Sequence, residues 1–280
     1  MTPESHGMSG SSWLGDPVDA RALFGPELGA LLKTLRGLAP SDWDRTAAGH
    51  WTVHDVAAHL LGDCYGRLGQ DHRNGFAPGE TLVEFIHRTN QEWVELHAGD
   101  SPESLVDALE AAGTRLARAF ATADLGAPAL GVSWAGVDPA PAWLDIAREF
   151  TEQWTHRQQI RHAVGQATDP EPRALAMVLD TFMRALPHTL RDTSAPIGAQ
   201  LRVVVSGPGG GSWTVTATAD RWSLAEPRRG LPLASVRLDT ETAWRLPTRS
   251  ITPANALSRA QVRGDHRLAE AACQVVSIIR

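Results

Sequence analysis

Lysine is almost missing from this chain: Lys33 stands alone among 26 basic residues, and with 32 acidic ones the formal charge is -6. Nucleic acid and anionic membrane surfaces both select a basic face, so a balance of this sign argues against either as a partner. The preference for Arg over Lys reflects coding bias more than function. Cysteine is scarce too. Cys64 and Cys273 lie far apart and form no paired spacing, which leaves no disulfide framework and marks them as packed thiols in a reducing cytoplasm. No stretch approaches the run of about 20 apolar residues that a membrane span needs. The first fifteen residues are Ser/Gly-rich and lack a basic start followed by an apolar run, so residues 1–17 read as a disordered tail and not as a signal peptide.

What is present fits a globular protein long enough for two domains: 280 residues, 42% hydrophobic and 21% charged. Helical spacing dominates the first part. Leu28, Leu31, Leu32, Leu35 and Leu38 define a helix that Pro40 stops. Thr52-Val53-His54-Asp55 has the form of a capping box and opens a helix carrying Val56, His59, Leu60 and Tyr65, expected to end near Asn74-Gly75. A third helix carries Leu82, Phe85, Ile86, Trp93 and Leu96, and a fourth carries Leu105, Leu109, Ala112, Leu116 and Phe120. After a Gly/Pro/Ala-rich segment from Asp124 to Pro141, either a functional loop or a plain connector, a helix from Ala142 to Val164 stops at Gly165. A last helix keeps Leu175, Leu179, Phe182 and Leu186 in step to about Leu190.

Near residue 193 the period changes from helical to alternating. Leu201–Val205 and Trp213–Thr216 flank Gly207-Pro208-Gly209-Gly210-Gly211 as a hairpin; that loop opens no helix and so is a turn, not a phosphate cradle. Strands at Arg221–Leu224, Ser235–Leu238 and near Val262 follow, with short helices at 242–246 and 253–257 and a closing helix from His266 to Ile278. The expected division is a helical domain over 18–192 and an α+β domain over 198–280.

One stretch carries chemistry. On a helix Glu152 and His156 stand one turn apart on one face, close enough to share a metal ion, while Phe150 and Trp154 project from the other. An enclosed ionised Glu needs a cation, a metal or water. His59, on a face flanked by Val56, Ala57, Ala58, Leu60 and Leu61, is the best third ligand, and a His/Glu/His set leaves coordination positions open, as catalytic zinc requires. The spacing by itself also fits a surface ion pair or a capped core histidine. Asp63 and Arg67 follow His59 on its face and are candidates for substrate contact or a salt-bridged pair; His54 caps or meets water, and Trp51 and Trp143 are candidate pocket walls or core.

Taken together, Trp51-Thr52-Val53-His54-Asp55-Val56-Ala57-Ala58-His59-Leu60, Glu152-x3-His156 and Gln159-Ile160-Arg161-His162-Ala163-Val164-Gly165 resemble the mycothiol-dependent maleylpyruvate isomerase family of the DinB-like superfamily. Gly207–Trp213, Thr242–Leu246 and Gly264–Ala271 are similar to that family's C-terminal domain. The resemblance implies a DinB-like four-helix bundle followed by a smaller sterol-carrier-like α+β domain. It also implies a divalent metal, usually zinc, on His59, Glu152 and His156, and mycothiol as co-substrate. A coordinated thiol falls from its usual pKa of about 8.5 to below neutrality. In the isomerase the thiolate adds to a cis double bond, the new single bond rotates, and elimination returns the trans isomer. Transferase relatives leave the thiol on the product. Gln159 stands where many members carry Asp, on the face pointing towards the site, and is a substrate-binding candidate: a neutral amide positions a substrate polar group without acting as a base. The family's catalytic arginine has its nearest candidate in Arg263. The alternatives are a mycothiol S-transferase or thiol-exchange enzyme, and a non-catalytic small-ligand-binding protein; a monomer or homodimer fits either.

Overall fold

The computed structural model describes residues 11–69, 75–225 and 230–277. Helix α1 (Phe24–Arg36) buries Leu28, Leu31, Leu32 and Leu35, as its spacing predicts, but is capped at Gly37, so that Leu38 lies past its end. A small antiparallel ribbon, β1 (Thr46–Ala48) and β2 (Trp51–Thr52), leads into α2 (Val53–Arg67). The capping box is formed: Thr52 Oγ1 accepts from the Asp55 amide at 3.2 Å, and the Asp55 carboxylate accepts from the Thr52 amide at 2.9 Å. Helix α2 ends at Arg67, short of the expected Asn74-Gly75, with Gly69 in the left-handed region; residues 70–74 lie outside the described residues. Helices α3 (Leu82–Leu96) and α4 (Pro102–Ala121) follow, opened by Thr81 and Ser101.

The 124–141 segment contains a second ribbon, β3 (Pro128–Ala129) with β4 (Ala140–Pro141). Helix α5 (Ala142–Ala163) is closed by a Schellman turn: Gln166 N–H donates to Arg161 O at 2.8 Å and Gly165 N–H to His162 O at 3.0 Å. Gly165 supplies the positive φ of 77° that this turn requires. The single helix expected over 175–190 is two pieces, α6 (Pro172–Met183) and α7 (Leu186–Thr189). The break falls where Pro187, lacking an amide proton, can sit only in the first turn of a new helix. The remaining elements are β5 (Gln200–Ser206), β6 (Gly211–Ala217), β7 (Trp222–Ser223), β8 (Ala234–Asp239), α8 (Thr240–Arg245), α9 (Pro253–Arg259), β9 (Gln261–Gly264) and α10 (His266–Ala272). Helix α10 stops before the expected Ile278, capped at Cys273 and followed by a turn from Gln274 to Ala271.

Two compact units result. One joins residues 21–123 with 152–169; the other holds the remaining described residues, so the division does not follow a single cut in the sequence. In the first unit, Leu28 and Leu31 of α1, Leu60 of α2, Trp93 of α3, Leu109 of α4 and Ile160 of α5 share one core. Helices α2 and α3 approach so closely that a Cβ on Gly62 would stand 2.8 Å from Trp93 Cδ1. In the second, five strands run in the order β7-β6-β5-β8-β9, every pair antiparallel except β5 with β8. Alternation buries Leu201, Val203 and Val205 of β5 beside Ala234, Val236 and Leu238 of β8. Leu14 is fully buried there and Leu224 N–H donates to Trp13 O, so the described end of the expected tail is packed. Both cysteines are free and buried.

Candidate metal centre

Helix α5 is buried on nearly every face although much of that face is polar: Asp145, Glu149, Gln153, His156, Arg157 and Gln158 are all buried. Burying such groups is tolerable only where each meets a partner or an ion. Within the first unit Arg157 meets two carboxylates. Its guanidinium donates to both oxygens of Glu27 on α1, at 2.5 and 3.1 Å, and to Asp169 at 2.9 Å. The Asp169 amide in turn donates to Gln158 Oε1 at 2.9 Å. This bidentate clamp fixes the C-terminal part of α5 against α1.

One turn of helix brings Glu152 and His156 together, with Glu152 Oε2 3.5 Å from His156 Nε2. His59 comes from α2. Its ring centroid lies 5.0 Å from that of His156, edge to face at 83°, and ligand atoms of His59, Glu152 and His156 all lie within 4.8 Å of one another. Each imidazole is 6% exposed. Burial, and then the neighbouring His156, push the His59 pKa well below 6.5, so the ring is neutral near pH 7 and keeps a nitrogen lone pair. The His156 ring is oriented from behind, where Nδ1 lies 2.8 Å from Gln159 Oε1.

The donor set fits a divalent cation. Two imidazoles and a carboxylate are ligands zinc accepts at about 2.0–2.2 Å, which sets tetrahedral donors about 3.4 Å apart. The Glu152–His156 separation of 3.5 Å is close to that value, and His59 offers a ligand atom within 4.8 Å of both. Among the described residues no other cluster of acidic, His or Cys side chains has this convergence.

The other sequence candidates are placed as follows. Asp63 Oδ2 lies 3.4 Å from His59 Nε2, half-buried one turn along α2, and Arg67 is half-buried at that helix's end. Gln159 faces His156. Arg263 is an exposed residue of β9, opposite Ser235, in the unit that does not contain the cluster. His54 Nε2 meets the Asp100 carbonyl at 2.9 Å, away from the triad. Trp51 does reach the site: its ring centroid lies 4.9 Å from that of His59, and its indole N–H donates to Gln91 Oε1 at 2.9 Å. The Arg157 clamp escaped the sequence reading. Its one signal there is an acidic residue, Glu27, set into the apolar stripe of α1.

A helical unit holding a cluster of two buried histidines and one half-buried carboxylate, joined to an α+β unit, defines a class of mixed helical and α+β protein with a candidate metal centre. Residues 24–161 match the family model described as the mycothiol maleylpyruvate isomerase N-terminal domain, so that segment is a member of this domain family. Two solved structures, both of mycothiol-dependent maleylpyruvate isomerase and one of them a mutant, are similar over 84% of this chain and 90% of theirs. The mutant has 14% identity and a TM-score of 0.49, the other 15% and 0.47. No curated protein matches.

Proposed function

We propose that the chain is a metal-dependent enzyme that uses mycothiol against a small electrophilic substrate, by cis/trans isomerisation of the maleylpyruvate type or by thiol transfer. The observation that carries this reading is the convergence of buried His59 and His156 with half-buried Glu152, all within 4.8 Å of one another, inside the stretch that matches the family. These three are the proposed ligands, zinc the proposed ion and the cytoplasm the proposed location. The division into a metal-binding domain over 18–192 and an α+β domain over 198–280 is part of the same reading.

A divalent cation held there would supply Lewis acidity, lowering the pKa of a coordinating thiol so that the nucleophile forms at neutral pH. The chain's own residues do the rest. His59, already neutral, presents a lone pair without first losing a proton. The tilted indole of Trp51 lies against His59, held in place by Gln91. Asp63 and Arg67, next along α2, are the proposed polar contacts to substrate, with Arg67 suited to a carboxylate. Arg263 is proposed as the family's catalytic arginine, as the resemblance implies.

Metal analysis and product analysis together test this. Purified protein is expected to hold about one divalent ion per chain and His59→Ala to lose it. Incubation with mycothiol and maleylpyruvate separates the two chemistries, since an isomerase returns the thiol and a transferase consumes it. Protein with no stoichiometric metal, and a His59→Ala variant with unchanged ligand affinity, would instead favour a binding protein.

A further inference from the structure

We propose that Gln159 is a positioning residue of the metal centre: its side-chain carbonyl holds His156 as the Nδ1–H tautomer and thereby aims the Nε2 lone pair at the space shared with Glu152 and His59. The inference rests on the metal reading above. The ring has only two nitrogens and they face different neighbours. Nδ1 lies 2.8 Å from Gln159 Oε1, a hydrogen-bonding distance, whereas Nε2 lies 3.5 Å from Glu152 Oε2, and the ring centroid lies 5.0 Å from that of His59. An amide oxygen can only accept, so the proton belongs on Nδ1. Because Gln159 sits three residues after His156 on the same rigid helix, the bond needs no other element to hold it.

The amide also sets the charge of the centre. Glu152 is the one carboxylate of the triad and Asp63 lies 3.4 Å from His59 Nε2, so two carboxylates already share the positive charge that a divalent ion would bring. A carboxylate in place of Gln159 would strengthen the imidazole as a donor but offset that charge. The neutral amide therefore orients the ligand and leaves the centre more attractive to an anionic sulfur.

The test uses the full-length protein and its Gln159→Leu and Gln159→Glu variants. Long-range 1H–15N spectra of the metal-free forms report the tautomer. Chelator competition with Zn2+ gives ion affinity, and visible absorption of the Co2+ form, titrated with mycothiol, gives thiol affinity. The parent is expected to show His156 protonated on Nδ1. Gln159→Leu should lose that preference and bind Zn2+ about 10–100-fold more weakly, the usual consequence of removing such a partner. Gln159→Glu should keep the tautomer, bind Zn2+ at least as tightly as the parent, and bind mycothiol more weakly. An Nδ1 without a proton in the parent, or a folded Leu variant with parental tautomer and Zn2+ affinity, overturns the proposal. If the Leu variant does not fold, the Glu variant decides: loss of the tautomer or of Zn2+ affinity overturns it. A parent that binds neither ion defeats the metal reading itself, a result distinct from these.

Discussion

At the scale of single residues, the centre depends on His59 being uncharged inside the helical unit. Its pKa lies well below the unperturbed 6.5 because burial, then His156, disfavours the imidazolium. The sign of the pH effect follows. Below about 6.5 the unfolded chain takes up a proton that the folded chain refuses, so folding stability is intact above that pH and declines as pH falls toward the folded pKa. Metal-free protein is therefore expected to show a falling urea midpoint below about pH 6.5, and His59→Ala to flatten that slope. Helix spacing pairs Glu152 with His156 and the apolar neighbours of His59 place it inward, but spacing left a surface ion pair or a capped core histidine open, and it was the family resemblance that joined the three. The partner of His156 was not legible in the sequence. Gln159 shares the face of the site, and spacing alone cannot distinguish an amide turned to substrate from one turned to a neighbouring ring.

At the scale of elements, α5 is the least predictable helix in the chain and the most important to the site. An apolar stripe announces burial, yet α5 has charged and polar groups on buried faces, so its enclosure is written in partners supplied by other elements. Glu27 is the clearest of these. Glu27→Ala would leave the Arg157 guanidinium buried with only the half-exposed Asp169, a loss expected to cost about 3–5 kcal/mol in urea unfolding. Helix α2 depends instead on close approach to α3. Gly62→Ala puts a methyl against the Trp93 indole, whose N–H donates to Ala58 O just before His59. The expected loss is about 1–3 kcal/mol by equilibrium unfolding, with weaker Zn2+ binding as α2 shifts. The Thr52–Asp55 capping box shows the opposite case, since its whole signal lies in four consecutive residues. The split between α6 and α7 was hidden because Leu175, Leu179, Phe182 and Leu186 keep the helical period across it.

At the scale of the whole molecule, alternation revealed the strands of the sheet but not their neighbours, because period says which face is buried and nothing about which edge is paired. The parallel join of β5 to β8 belongs to that unread part. The reading of the two cysteines as packed thiols does carry over. Cys273 is buried and its pKa is pushed up to about 11, first by burial and then by Glu270, so almost no thiolate exists at pH 8. Neither thiol is expected to react with a disulfide reagent within minutes on the folded protein, and both should react in guanidinium. No helix among the described residues is long and apolar enough to cross a membrane.

The β5–β8 join also bears on fragments. A chain cut off before β8 would keep the β5–β6 hairpin yet bare the backbone donors and acceptors that β5 turns toward β8, along a valine-rich margin. Such a margin is a template for strands of other molecules. Shortened forms ending there will form oligomers and precipitate, however well their helices fold.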